Sequence, residues 1–144
     1  MKKNVVSVFF LATMAGCSAG VIQQKVMPIT LSDKDSQEIC LITNPAVLQD
    51  ILEAYRKSLT SRGLTVKVLP QGSEPGSCSL ATTYTANWRW DLALYLAYAD
   101  LKIYRNNQLE GEAIYDALQA ALNTGKFIHA DAKIQELTEK LLLK

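Results

Sequence analysis

Apolar and polar positions recur in two rhythms along this chain, and each change of rhythm marks an element. Glu38 to Thr43 alternate with period two, Ile39 and Leu41 on one face and Cys40 and Ile42 on the other. That pattern predicts a strand apolar enough to be buried on both sides. Val47, Leu48, Ile51, Leu52, Tyr55 and Leu59 then recur at helical spacing, with Asn44-Pro45 ahead of them and Gly63 behind. An N-cap asparagine with proline at the first helical position, and glycine just past the last, are the preferred punctuation of a helix. Leu64 to Leu69 read as a second short strand, so strand, helix and strand should form a right-handed parallel crossover.

Pro70 to Ser77 (PQGSEPGS) carries two prolines and two glycines and reads as a turn-rich loop. Two long strands follow. Leu80 to Trp90 set Tyr84, Ala86, Trp88 and Trp90 against Thr83, Thr85, Asn87 and Arg89. Leu92 to Arg105 set Tyr95, Ala97, Ala99, Leu101 and Ile103 against Leu94, Leu96 and Tyr98. Arg105-Asn106-Asn107-Gln108 is a hairpin turn, and Leu109 to Tyr115 return as a third strand. Ala117 to Phe127 is an Ala/Leu-rich linker, compatible with a short helix ended by Asn123-Thr124-Gly125. Asp131 to Leu142 form a second helix with Ile134, Leu137 and Leu141 on its apolar stripe. The expected order, β-α-β-β-β-α, is an α+β fold, a mixed sheet with its helices packed on one face.

Ahead of this domain the pattern changes in kind. Lys2 and Lys3 precede an apolar run from Val5 to Met14, and small residues lead into a cysteine, Ala15-Gly16-Cys17. The run is too short for a bilayer-spanning helix, which needs about 20 residues, and reads as a signal peptide over residues 1–16. Its ending resembles the bacterial lipobox, with Met14 where leucine is usual. The resemblance implies that Cys17 becomes the first mature residue, carrying diacylglycerol and an N-acyl chain such as palmitate. Buried methylenes contribute ~0.8 kcal/mol each, so several chains anchor durably. Ser18 follows, not aspartate, which in enterobacterial-type sorting implies the outer membrane, periplasm-facing. Residues 17–36 are then the lipidated start and a tether of roughly 25 Å typical reach, and residues 37–144 a single domain. Val26, Ile29 and Leu31 could instead add an edge strand.

Composition narrows the function classes. The 144 residues carry a net charge of +1, which loss of Lys2 and Lys3 moves to −1. Such a balance excludes an electrostatic nucleic-acid binder. With Cys17 lipidated, Cys40 and Cys78 remain as an even pair in an oxidising compartment, where a disulfide is the expected state. The only histidine, His129, lies far from any cysteine, so no metal site or cofactor is expected. His129 also has no nucleophile motif nearby and reads as a helix-start residue. Glu110 and Glu112 share a strand face in principle suited to paired-acid chemistry, but charges on an edge strand more often block edge pairing.

The distinctive segment is Thr83 to Asp91, with Trp88 and Trp90 sharing a face with Tyr84, and Arg89 and Asp91 placed opposite, near enough to pair. Strand aromatics are more commonly core. The functional reading is an aromatic ledge of Trp88, Arg89, Trp90 and Asp91 on the helix-free face, extended by Leu94 and Leu96, that docks a partner. Here the chain resembles a family of small, uncharacterised proteobacterial lipoproteins through Thr85 to Trp88 and Trp90 to Leu96. The resemblance implies a periplasm-facing lipoprotein and carries no catalytic assignment. The expected function is a membrane-anchored binding or assembly module contacting an envelope protein or polymer, with a homo-oligomer compatible. A hydrolase or transferase using Asp91, Glu110 or Glu112, and a purely structural lipoprotein, are the alternatives.

Overall fold

The computed structural model describes residues 20–32, 35 and 37–143. The signal peptide and Cys17 lie outside the described residues. The elements are β1 (Val21–Met27), β2 (Ile29–Thr30), β3 (Glu38–Ile42), α1 (Gln49–Ser61), β4 (Thr65–Leu69), β5 (Leu80–Asp91), β6 (Ala93–Arg105), β7 (Gln108–Gln119), α2 (Ala130–Leu141) and β8 (Leu142–Leu143). Six strands form one mixed sheet in the order β1-β7-β6-β5-β3-β4. The α+β architecture is the expected one.

The crossover forms as the rhythm dictates: β3 runs parallel to β4 and also to β5. Both helices cover one face, where Ile39, Leu41, Ile51, Leu59, Ile134 and Leu137 are buried. Tyr55 of α1 reaches into this core and bonds the Thr82 hydroxyl at 2.6 Å, and Thr82 donates onward to the Lys102 carbonyl. On the opposite face Cys40 of β3 is bonded to Cys78, the expected disulfide. That link ties the loop before β5 to the sheet's parallel half.

Three local readings change. The helix begins at Gln49, not at Pro45, because Leu48 is extended (φ −57°, ψ 141°). Asn44 instead closes a tight turn, its side chain accepting from the Ala46 amide while donating to the Tyr84 carbonyl. The third long strand does not stop at Tyr115 but runs to Gln119, since β1 pairs along it from Met27↔Glu112 to Val21↔Gln119. Much of the segment read as tether is therefore the sheet's edge strand, the alternative left open for Val26. Ile29 lies instead in β2, which pairs with β8 as a separate two-stranded sheet, and the Leu31 amide donates to the Leu143 carbonyl.

The hairpin turn at Asn106-Asn107 has both residues at positive φ (49° and 67°), the geometry that matches strand twist and that asparagine tolerates. Gly63 sits at φ +89°, where it ends α1 as expected. Gly111 of β7 lies where a Cβ would meet Ile29 and Leu141 at 3.0 Å or less, so the small residue lets β2 and α2 close over the strand.

Candidate functional site

The segment singled out by sequence forms the far end of the β5–β6 hairpin, and the structure divides its residues. Trp88 pairs with Leu96 and Trp90 with Leu94 across the hairpin, which places all four on the helix-bearing side. This corrects the helix-free placement. Trp88 is half-buried against the core, with Leu96 wholly buried. Trp90, one pair further out, clears the helices and is 73% exposed.

A bulge explains why alternation misplaced Leu96. The register shifts between Asn87 and Trp88, so that Asn87 faces Tyr98 while Trp88 faces Leu96, leaving Ala97 as an extra residue of β6. Two residues of β6 there oppose one of β5, which brings Leu96 to the side of Trp88. Ala97 to Ile103 keep their odd-numbered residues in the core, and Tyr95, paired with Arg89, is buried in the same core. There it is covered edge-on by Phe127, ring centroids 5.7 Å apart.

Asp91 does not pair with Arg89. Its carboxylate receives the ammonium of Lys126, which also donates to the Ala121 carbonyl. Lys126 is almost wholly buried, its nitrogen 5.1 Å from the Tyr95 ring centre and 5.3 Å from that of Phe127. A buried ammonium needs such partners to offset its lost hydration. The β7–α2 loop thus grips the hairpin end, while Arg89 stands exposed beside it. Sequence reasoning missed Lys126, which stands 35 residues after Asp91 and carries no local signature.

The turn itself is unusual. Leu92 occupies it at φ +61° and is 90% exposed, flanked by Trp90 and by Leu94 at 58%. Hairpin turns needing positive φ ordinarily use glycine or asparagine, and a leucine there costs about 1–2 kcal/mol. That leucine in a turn position was the available signal for an apolar tip. Behind it, a recess of about 450 Å³ is lined by Leu48, Asp50, Ile51, Trp88, Leu94, Ala130 and Asp131, where α1 and α2 begin. The Trp88 indole N–H is buried beside it without a partner among the described residues.

The carboxylates of the enzymatic alternative are not brought together as an acid pair. Glu110 is held by Arg105 at 2.9 Å and Glu112 by Lys102 at 3.6 Å, with Asp91 on Lys126 at the other end of the sheet. His129 directly precedes α2, in an extended conformation. Among the described residues no helix is long and apolar enough to cross a membrane.

No family model matches the chain, and no curated protein matches it in sequence. Solved structures do. PelC from Paraburkholderia phytofirmans, a dodecamer, superposes with a TM-score of 0.57 at 11% identity, covering 85% of this chain and 98% of that one. A single-substitution variant of the same dodecamer gives a TM-score of 0.57 at 12% identity, covering 85% and 96%. A minor lipoprotein from Acinetobacter baumannii overlaps at a TM-score of 0.42 and 17% identity, covering 74% and 91%. The PelC likeness shows a shared fold.

Proposed function

We propose that this chain is a lipid-anchored bacterial envelope protein, acylated at Cys17 and facing the periplasm from the outer membrane, that works as a binding and assembly module. Its contact surface is the hairpin end, where Trp88, Arg89, Trp90 and Asp91 combine with Leu92 and Leu94. The observation that carries this reading is an apolar tip kept exposed on a rigid mount. Trp90, Leu92 and Leu94 stand in solvent while Lys126 and Asp91 fix the strands beneath them. Contiguous exposed apolar surface of this kind marks interaction sites. The ion-paired state of Asp91, Glu110 and Glu112 favours binding over hydrolysis. Self-association belongs to the proposal because the PelC chains, which share the fold, are dodecamers.

The test has two parts. Protein purified from membranes should carry the acyl mass on Cys17 and move to the soluble fraction as Cys17→Ser. Native mass measurement in detergent should give a multiple of the chain mass. An unacylated, soluble natural protein would overturn the anchor, and a monomer at all concentrations would overturn the assembly.

A further inference from the structure

The apolar tip lies at the same end of the molecule as the start of the described chain. In the sheet register Val21 stands opposite Gln119 of β7, and Tyr98 of β6 opposite Asp116. Carried along β6, this brings Gly20 level with Leu94 and its partner Trp90, beside the Leu92 turn and two to three strands, or about 10–14 Å, across the sheet. The intervening loop confirms the placement. Asn123 donates to the Gly20 carbonyl at 3.1 Å, and three residues later Lys126 holds Asp91. Leu122, 76% exposed, projects from this loop, with Val21 and Phe127 also exposed nearby.

Chain length then limits where this end can go. Only Ser18 and Ala19 separate Cys17 from Gly20, and three steps of fully extended chain reach about 11 Å. Because β1 takes up residues 21–27, an anchor on Cys17 would hold this end close to the bilayer and not at a long tether's reach.

We propose that this end of the domain seats on the bilayer that holds the Cys17 acyl chains, with Trp90, Leu92 and Leu94 entering the boundary between headgroups and acyl chains. The inference rests on the anchored reading and names the partner of its contact surface. Shape and charge both fit. The tip is a protruding turn, suited to entering a soft interface. Tryptophan favours the interfacial zone, where its ring is apolar and its N–H stays wet. The tip's own carboxylate is neutralised by Lys126, and exposed Arg89 can reach lipid phosphate. Asp50 and Asp131 stand further back, in the first turns of the helices.

The experiment uses the acylated mature protein reconstituted in vesicles of phosphatidylethanolamine and phosphatidylglycerol whose acyl chains carry bromine. With bromines about 5–10 Å below the headgroups, roughly half or more of the Trp90 emission should be lost. Trp90→Phe should abolish that loss and leave the shielded Trp88 signal, and Trp88→Phe should retain it. Unquenched Trp90 in an acylated protein overturns the seating and leaves the anchor intact. Blue-shifted but unquenched emission assigns the tip to a second copy of the chain and also overturns it. A natural protein without acyl mass overturns both readings.

Discussion

The ammonium of Lys126 is buried against the carboxylate of Asp91, joining the loop before α2 to the last residue of β5. The two partners are unequally placed, since Lys126 is enclosed and the Asp91 side chain is 46% exposed. That asymmetry decides what each substitution does. Asp91→Ala strands a buried cation and should cost about 2–3 kcal/mol. Lys126→Met keeps the stem packed between Tyr95 and Phe127 and lets Asp91 hydrate, so it should cost about 1 kcal/mol or less. Urea unfolding of the two variants should show that order.

Leu92 opposes stability where it serves exposure. Leu92→Gly relieves the positive φ but loosens the unfolded chain, leaving a net gain of about 0.5–1 kcal/mol. A raised denaturation midpoint with an unchanged slope is the expected result. A loss would mean that the leucine makes contacts the fold depends on.

The Cys40–Cys78 link closes a separation of 38 residues. In the chain-entropy model it contributes about 4 kcal/mol. Reduction, or replacement of both cysteines by alanine, should lower the thermal midpoint accordingly. Neither cysteine should react with an alkylating agent until reductant is added.

Burial holds the Tyr55 hydroxyl well above the ordinary tyrosine range, partly countered by its bond to Thr82 and reinforced by the charge of Asp100. Its ultraviolet ionisation signal should appear only as the protein unfolds in alkali. Tyr55→Phe should cost about 1 kcal/mol, the net worth of one neutral hydrogen bond.

Glu136 contributes to the acid limb. Burial opposes its charge, but hydrogen bonds from Lys133, Lys140 and Gln24 outweigh it and hold the carboxyl at about 2. A depressed value means stabilisation present above the unfolded range near about 4.3 and lost as pH falls through about 2. Because Gln24 belongs to β1, that loss should loosen the edge strand from α2. Glu136→Gln should flatten the stability profile between those limits, and amide exchange along β1 should report it. The partly exposed group makes this a modest contribution.

Much of the fold was legible because local rules and tertiary packing agree. The period of residues 38–69 and the glycine at 63 specify the crossover, and the asparagine pair specifies its hairpin. What escaped was non-local. β1 is polar through its middle, Gln23 to Lys25, and finds its place through distant β7 and α2, so the local pattern reads it as tether. The bulge at Ala97 has no residue signature, which is why Leu96 was assigned to the wrong face. At the site, Trp90 and Asp91 were visible, whereas the helix-side setting of the tryptophans and the partner of Asp91 needed the packed structure.

The pairing of β1 with β7 also constrains the order of events as the chain is made. Residues 21–27 are synthesised first, yet their hydrogen-bonding partners, residues 112–119, come last among the strands of the large sheet. The leading segment must wait unpaired while the central hairpins assemble, as expected of a contact so distant along the chain. A stalled or shortened chain lacking β7 would leave that segment without a berth and offer it to other polypeptides.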